Sequence, residues 1–284
     1  MNKVFKNYLK NNKILLASHR GVYGGNVIEN TTEAFEIALN SGVSIVEMDV
    51  IKSIDGYYYV FHDTEEMRML KIEENIHKLS KTEIEKLTYY NRYGIITSKK
   101  VETLEDVLLN LKNRCLINLD RIGKRGFSYL KGILDIVGKL EMFDQVIFKT
   151  AFDEEIVKGL SEYQTKVMFM PIVKSTNEIE EFEKHNLNIV ALELVFNNEN
   201  SELISDENIK NYKAKGYALW INTICFSERG LLSGKYSDHN LLTSFKVDDM
   251  HWILEKGFDI IQTDFPSLIK ELIIKTKKAH AIID

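Results

Sequence analysis

The sequence predicts an α/β protein, a (β/α)8 TIM barrel with a small insertion after a hairpin on its second strand. Three observations carry this prediction. Eight short, apolar, β-rich runs recur along the 284 residues, at 14–18, 45–50, 115–119, 145–149, 166–170, 189–194, 217–221 and 258–262. Longer amphipathic segments separate them, the pattern of parallel strands joined by crossover helices. Polar residues with chemical potential (His19, Glu47, Asp49, Asp120, Lys149) lie in or just after several runs, where barrel enzymes build their sites. An open, doubly wound sheet is the competing arrangement.

The first run leads directly into His19-Arg20-Gly21. Asn30-Thr31-Thr32-Glu33 then resembles a capping box that opens a helix. Ala34, Phe35, Ala38 and Leu39 share one face of that helix, and Gly42 supplies the left-handed residue its end favours. The second run, Ile45-Val46-Glu47-Met48-Asp49-Val50, is followed by Ile54-Asp55-Gly56, and Asp-Gly is a strong hairpin signal. A ninth β-like run at 57–62 therefore returns antiparallel. It belongs to the loop beyond strand two, which puts His62 on the loop face of the barrel. Residues 64–100 carry no obvious βα unit and read as a small insertion or lid, helical at 78–87 and looped at 89–94. Thr103-Leu104-Glu105-Asp106 opens a second clear helix, with Leu104, Val107, Leu108 and Leu111 on one side. With two prolines and no low-complexity linker, 1–284 is expected to form one domain.

Hydrophobic residues make up 44% and charged residues 28%, an ordinary balance for a globular chain with a sizeable core. The net charge of -5 argues against bulk nucleic-acid binding. Cys115 and Cys225 have no metal or redox spacing, and Cys115 lies in an apolar run as a buried small hydrophobe. The N-terminal ten residues are basic and polar. Run 14–17 is too short for a signal-peptide core, and no stretch approaches a membrane span, so a cytoplasmic location is the expectation.

Glu47 and Asp49 are two apart on a strand and so point to one face. Converging carboxylates repel unless a cation joins them, and oxygen-only ligands favour Mg²⁺ or Ca²⁺. Asp120, at another strand tip, is the natural third ligand. His19 and His62 are the acid–base candidates, since histidine both takes and gives protons near neutral pH. Arg20 can grip a phosphate at two points, beside a Gly21 that permits close backbone approach. Lys149 offers a second positive charge or a salt bridge at the rim. Trp220 offers an apolar wall for a glycerol-like group, with core packing as its alternative. Glu193 reads as a supporting partner, and the other five histidines as surface residues.

The chain resembles the glycerophosphodiester phosphodiesterases, within the phospholipase-C-like phosphodiesterases. His19-Arg20-Gly21, Glu29-Asn30-Thr31, Glu47-Met48-Asp49-Val50, Asp55-Gly56 and His62-Asp63 carry the resemblance. Trp220-Ile221-Asn222-Thr223 and the stretch from Gly257 to Pro266 extend it over nearly the whole chain. It implies a TIM barrel that hydrolyses a phosphodiester such as glycerophosphocholine, with Glu47 and Asp49 as metal ligands. It implies His19 and His62 as the acid–base pair and Arg20 as the phosphate contact. The family's Glu-x-Lys pair is missing. One alignment puts Asp120 on the Glu, the other puts Asn118 there and Asp120 on the Lys; either way Asp120 is the only acid at this tip. Arg121 or Lys149 replaces the missing charge. Asp264 matches the family's terminal Thr-Asp and reads as a helix cap ahead of Pro266. The alternatives are a lyase or phospholipase-like enzyme that releases a cyclic phosphate from a lysophospholipid, and a catalytically silent binding barrel.

Overall fold

Along most of the expected strands every second residue changes character halfway, from apolar to polar; Met168, Met170 and Ile172 stay apolar. The fold turns these stripes into one interior. The computed structural model describes residues 3–227 and 230–281. Its strands are β1 (Leu15–Ser18), β2 (Ile45–Lys52), β3 (Tyr58–Val60), β4 (Leu116–Asp120), β5 (Val146–Thr150), β6 (Met168–Val173), β7 (Asn188–Ile189), β8 (Ala191–Leu194), β9 (Ala218–Asn222) and β10 (Ile260–Thr263). The parallel order β1-β10-β9-β8-β6-β5-β4-β2 closes because β1 also pairs with β2, Ala17 opposite Ile45 and Ser18 opposite Val46. The sheet is a closed eight-position barrel, not the open alternative.

The hairpin is as expected: β3 returns antiparallel on β2, with Val60 opposite Val50. The sixth run is broken at Val190. Register against β6 shifts by one residue between Met168↔Asn188 and Ile172↔Glu193. Val190 is thus the extra residue of a bulge, and bulges re-aim the side chains beyond them. The strand after it presents Glu193 to the interior network described below.

The lower interior is apolar: Leu15, Ala17, Ile45, Leu116, Ile147, Met168, Ala191, Ala218, Trp220 and Ile260 form one buried cluster. Phe5, fully buried on the helix Lys3–Asn11, joins that cluster and covers the end of the barrel opposite the site. The sequence reading had only a basic, polar segment there.

Residues 64–100 form short pieces, with helices at Glu66–Met69 and Lys81–Ile84 and a single 3-10 turn at Ile76–Lys78. Met69, Leu70, Ile76, Ile84 and Tyr89 pack with Ile51, Tyr59 and Phe61 in a separate apolar cluster, so the insertion is anchored on the hairpin. The expected helix at 78–87 shrinks to four residues. At the first crossover helix, Thr31 caps by accepting from the Ala34 amide, while the amide of Thr32 is taken by Glu102. The reciprocal Glu33 contact of a capping box is absent, and Glu33 pairs with Lys99 instead. No described helix is long and apolar enough to cross a membrane.

Candidate active site

The upper positions of the same inward stripes are polar, and they converge at the C-terminal mouth. Ala17 gives way to His19, Ile45 to Glu47 and Asp49, Leu116 to Asn118 and Asp120, and Ile147 to Lys149. β2 and β4 run in register with Glu47 opposite Asn118 and Asp49 opposite Asp120. Carboxylate oxygens of Glu47, Asp49 and Asp120 lie within 4.8 Å of one another. Glu47 is 1% exposed; its Oε2 accepts from the Arg20 amide at 3.0 Å, and its Oε1 has no hydrogen-bond partner. Burial, then Asp49, pushes the Glu47 carboxyl up to about 7. Burial alone would also raise Asp120, but Lys149 and the Arg121 amide outweigh it and hold that carboxyl below its ordinary range. An orphaned, buried carboxylate oxygen among two further acids fits a hard divalent cation, which would supply the missing partner. The Asn118 amide oxygen is buried there without a donor as well.

The loop that opens with Arg20 is built around these ligands. Arg20 adopts a left-handed backbone, φ 56°, and points its amide at Glu47. Gly21 follows at φ 82°, where an added Cβ would meet Ala34 at 2.7 Å, so only glycine fits. The Glu29-Asn30-Thr31 motif now has a physical account. Glu29 Oε1 accepts from Arg20 Nη1 at 2.7 Å and from Arg68 Nη2 at 2.8 Å. Asn30 donates to Asp49 Oδ2 at 2.9 Å and accepts from the Asp49 amide at 3.2 Å. Thr31 starts the helix. Burial opposes the Arg20 charge, but Asp49 and Glu29 more than compensate and hold it protonated.

The two histidines face one cavity of about 390 Å³, and their surroundings shift them in opposite directions. His19 Nδ1 lies 2.7 Å from Asp264 Oδ1, which leaves Nε2 toward the cavity. Burial lowers the His19 pKa, yet the Asp264 hydrogen bond and the Glu47 charge outweigh it, and the net shift is upward. His62 shifts downward, through burial first and the nearby Arg20 and Arg121 charges as well, against the pull of Asp49. Arg121 Nη2 contacts His62 Nε2. A guanidinium can only donate, so His62 Nε2 is the acceptor in that contact.

Lys149 is 1% exposed and pairs with Asp120 at 2.9 Å and Glu193 at 3.3 Å. Burial opposes its charge; Asp120 and Glu193 override that and raise its pKa. Glu193 Oε1 accepts from Asn222 at 2.9 Å, which makes it the support for Lys149. Lys149 neutralises Asp120, and Arg121, left-handed at φ 65°, reaches His62 and Asp63.

Two expectations need correction. Trp220 is not a wall of the mouth. It is fully buried in the lower interior, with Nε1 donating to Gln262 Oε1 at 3.1 Å, and Asn222 takes the mouth position above it. Trp220→Phe should therefore lower stability by about 1 kcal/mol through the lost hydrogen bond and leave KM unchanged, as a melt and steady-state kinetics would show. Asp264 is no helix cap: its carboxylate holds His19, and its amide donates to Asp238 Oδ2 at 2.8 Å. Sequence reasoning also passed over Arg121 as a His62 partner, and Lys124 and Lys174, which line the cavity and add to its positive potential. Their signal was a position just beyond a strand end. Of the other histidines only His239 is exposed and four are half-buried; none lines this cavity.

The mouth of the closed barrel gathers three carboxylates, two histidines shifted in opposite directions and a ring of cations, a set that suits a phosphoric diester hydrolase. A family model, the glycerophosphoryl diester phosphodiesterase family, matches residues 19–268, and the chain belongs to that family. Curated relatives agree. A glycerophosphodiester phosphodiesterase of Bacillus altitudinis is 24% identical over 88% of this chain and 94% of its own length. One from Caldanaerobacter subterraneus subsp. tengcongensis is 26% identical over 53% of this chain and only 54% of its own. Among solved structures, a glycerophosphoryl diester phosphodiesterase from Parabacteroides distasonis superposes with TM-score 0.74 at 19% identity, covering 92% of this chain and 86% of the other. An Oleispira antarctica phosphodiesterase in complex with the product sn-glycerol-3-phosphate gives 0.67 at 17% identity, covering 92% and 96%. At these identities the structural likeness concerns the fold.

Proposed function

We propose that the protein hydrolyses a glycerophosphodiester such as glycerophosphocholine to glycerol 3-phosphate and the free alcohol, with His19 and His62 as general acid and base. The observation that carries this reading is the opposite tuning of the two histidines across one cavity beside a three-carboxylate cluster. Pairs of titratable groups pushed apart by their environments mark acid and base roles. The product complex of the Oleispira relative supports the same substrate class.

Glu47, Asp49 and Asp120 would hold one divalent cation, Mg²⁺ or Ca²⁺. The cation, when bound, supplies charge neutralisation to the phosphoryl oxygens. Arg20 contacts the phosphate, and Lys149 keeps the charge of the floor balanced. His62, neutral, takes the proton of the attacking hydroxyl once Arg121 turns aside. As the new P–O bond forms, the bond to the leaving alcohol breaks and His19 Nε2 gives that oxygen its proton. Asp264 holds the resulting imidazole in orientation through Nδ1. If the attacking hydroxyl is the substrate's own neighbour, a cyclic phosphate forms first. Water then opens it with the histidine roles reversed.

Phosphorus NMR of the reaction with glycerophosphocholine tests this. Glycerol 3-phosphate is the expected end product. A cyclic phosphate that accumulates and stays closed would move the protein to the lyase alternative, and no turnover of any phosphodiester would leave the silent barrel.

A pH profile follows from the tuning. Activity needs His62 unprotonated and His19 protonated. The rate should rise through a pKa below about 6.5, where His62 loses its proton, and fall through one above it, where His19 loses its own. A profile of kcat/KM with the single limb of one group would contradict the pairing.

A further inference from the structure

Asp238 sits on the turn that opens the short helix Asp238–Thr243, 2% exposed, and does not line the catalytic cavity. Its carboxylate is fully engaged. Oδ1 accepts from Thr223 Oγ1 at 2.6 Å and Thr263 Oγ1 at 2.8 Å, and Oδ2 accepts from the Asp264 amide at 2.8 Å. Its own amide donates to the Thr223 carbonyl at 2.6 Å. One buried acid thus ties the chain just beyond β9, the end of β10 and an outer turn together. Burying a carboxylate is costly and is tolerated where its acceptors are filled.

What Asp238 holds is the residue that holds His19. Asp264 lies one residue past the last β1–β10 pair, Ser18 opposite Thr263, so no strand partner takes its amide. Its side chain is 26% exposed. The Tyr23 hydroxyl also reaches its carboxylate, at 3.5 Å. Asp238 Oδ2 therefore holds the Asp264 amide, while Thr263 Oγ1 accepts from the following amide of Phe265 at 2.9 Å, and these two contacts fix the backbone from which the Asp264 carboxylate reaches His19.

We propose that Asp238 is a positioning residue for the His19 imidazole, acting through the Asp264 backbone. The inference rests on the catalytic role given to His19 above. Its chemistry is specific to Oδ2. Asp238→Asn keeps the shape but not both acceptors: with its oxygen on the threonine hydroxyls its NH₂ meets the Asp264 N–H, donor against donor, and turned over it keeps the Asp264 contact but takes the acceptor from the Thr263 hydroxyl. Thr223→Val removes a hydroxyl that Oδ1 shares with the Gln262 carbonyl, at 2.6 and 2.8 Å, and leaves the Oδ2 contact in place.

Steady-state kinetics of the metal-loaded protein on glycerophosphocholine should show kcat about tenfold lower in Asp238→Asn, with KM changed by less than about twofold. Asp264→Ala should lose more, and adding Asp238→Asn to it should cost nothing further, because residues acting in one chain are not additive. Thr223→Val should stay near the parent. If Asp238→Asn fails to fold, Asp238→Glu keeps the charge but displaces the acceptor by one methylene, and the same loss and non-additivity are expected. An undiminished kcat in both Asp238→Asn and Asp238→Glu would overturn the proposal. So would an equal loss in the Asp264→Ala background, or a Thr223→Val variant as impaired as Asp238→Asn, since each marks general structural support. The His19 ring-nitrogen NMR signals give a readout without turnover. A parent protein that cleaves nothing refutes the hydrolase reading alone. The relay then stands if Asp238→Asn shifts the His19 Nδ1 signal and falls if it does not.

Discussion

Glu47→Gln should abolish cation-dependent turnover, by about 10³-fold or more, while leaving the metal-free protein at least as stable as the parent above neutral pH. Glu47 is buried, beside two further carboxylates, and one of its oxygens has no partner. Removing its charge removes a ligand and also removes a repulsion. The sign follows from linkage. The folded-state pKa, about 7, lies above the ordinary glutamate value of about 4.3, so the folded metal-free state holds the proton more tightly than the unfolded chain. The parent therefore loses stability as pH rises from about 4.3 through about 7. The glutamine variant has no such loss. Melting curves across that window, with and without Mg²⁺ or Ca²⁺, read both effects. The parent should be stabilised by the cation at pH 8 and the variant should not. A variant that keeps cation-stimulated turnover would remove Glu47 from the ligand set.

His19→Ala and His62→Ala should each lower kcat by about 10²–10⁴-fold on glycerophosphocholine, but the two losses should separate when the leaving group is changed. Choline is a poor leaving alcohol and needs a proton; nitrophenolate does not. With a nitrophenyl phosphodiester the His19→Ala loss should shrink toward parity, because Asp264 tunes His19 to donate. The His62→Ala loss should persist, because a hydroxyl must still be deprotonated. Kinetics on the two substrates would show it. The opposite pattern would exchange the two roles.

The inward stripe was readable wherever a strand ended on chemistry. His19, Glu47, Asp49, Asp120 and Lys149 fall where period two and the strand runs put them, and the hairpin signal placed His62. Trp220 was misjudged because β9 runs one residue further than its apolar pattern, to Asn222, which drops the indole one layer down. Asp264 was misjudged because Thr-Asp-Phe-Pro reads locally as a cap, while its partner, His19, is 245 residues away. The bulge at Val190 leaves no mark in composition. The helices of residues 64–100 are too short to show a period, and tertiary packing on the hairpin decides them. Asp238 had no signal at all, since its three donors come from chain segments that only the closed barrel brings together.

The most direct test of the account strips the purified protein of metal and assays glycerophosphocholine before and after Mg²⁺ or Ca²⁺ is restored. No turnover without the cation, recovery of glycerol 3-phosphate release on its return, and no recovery in Glu47→Gln are the predicted results. Full activity in the stripped protein, or recovery in the variant, would contradict a cation held by Glu47, Asp49 and Asp120.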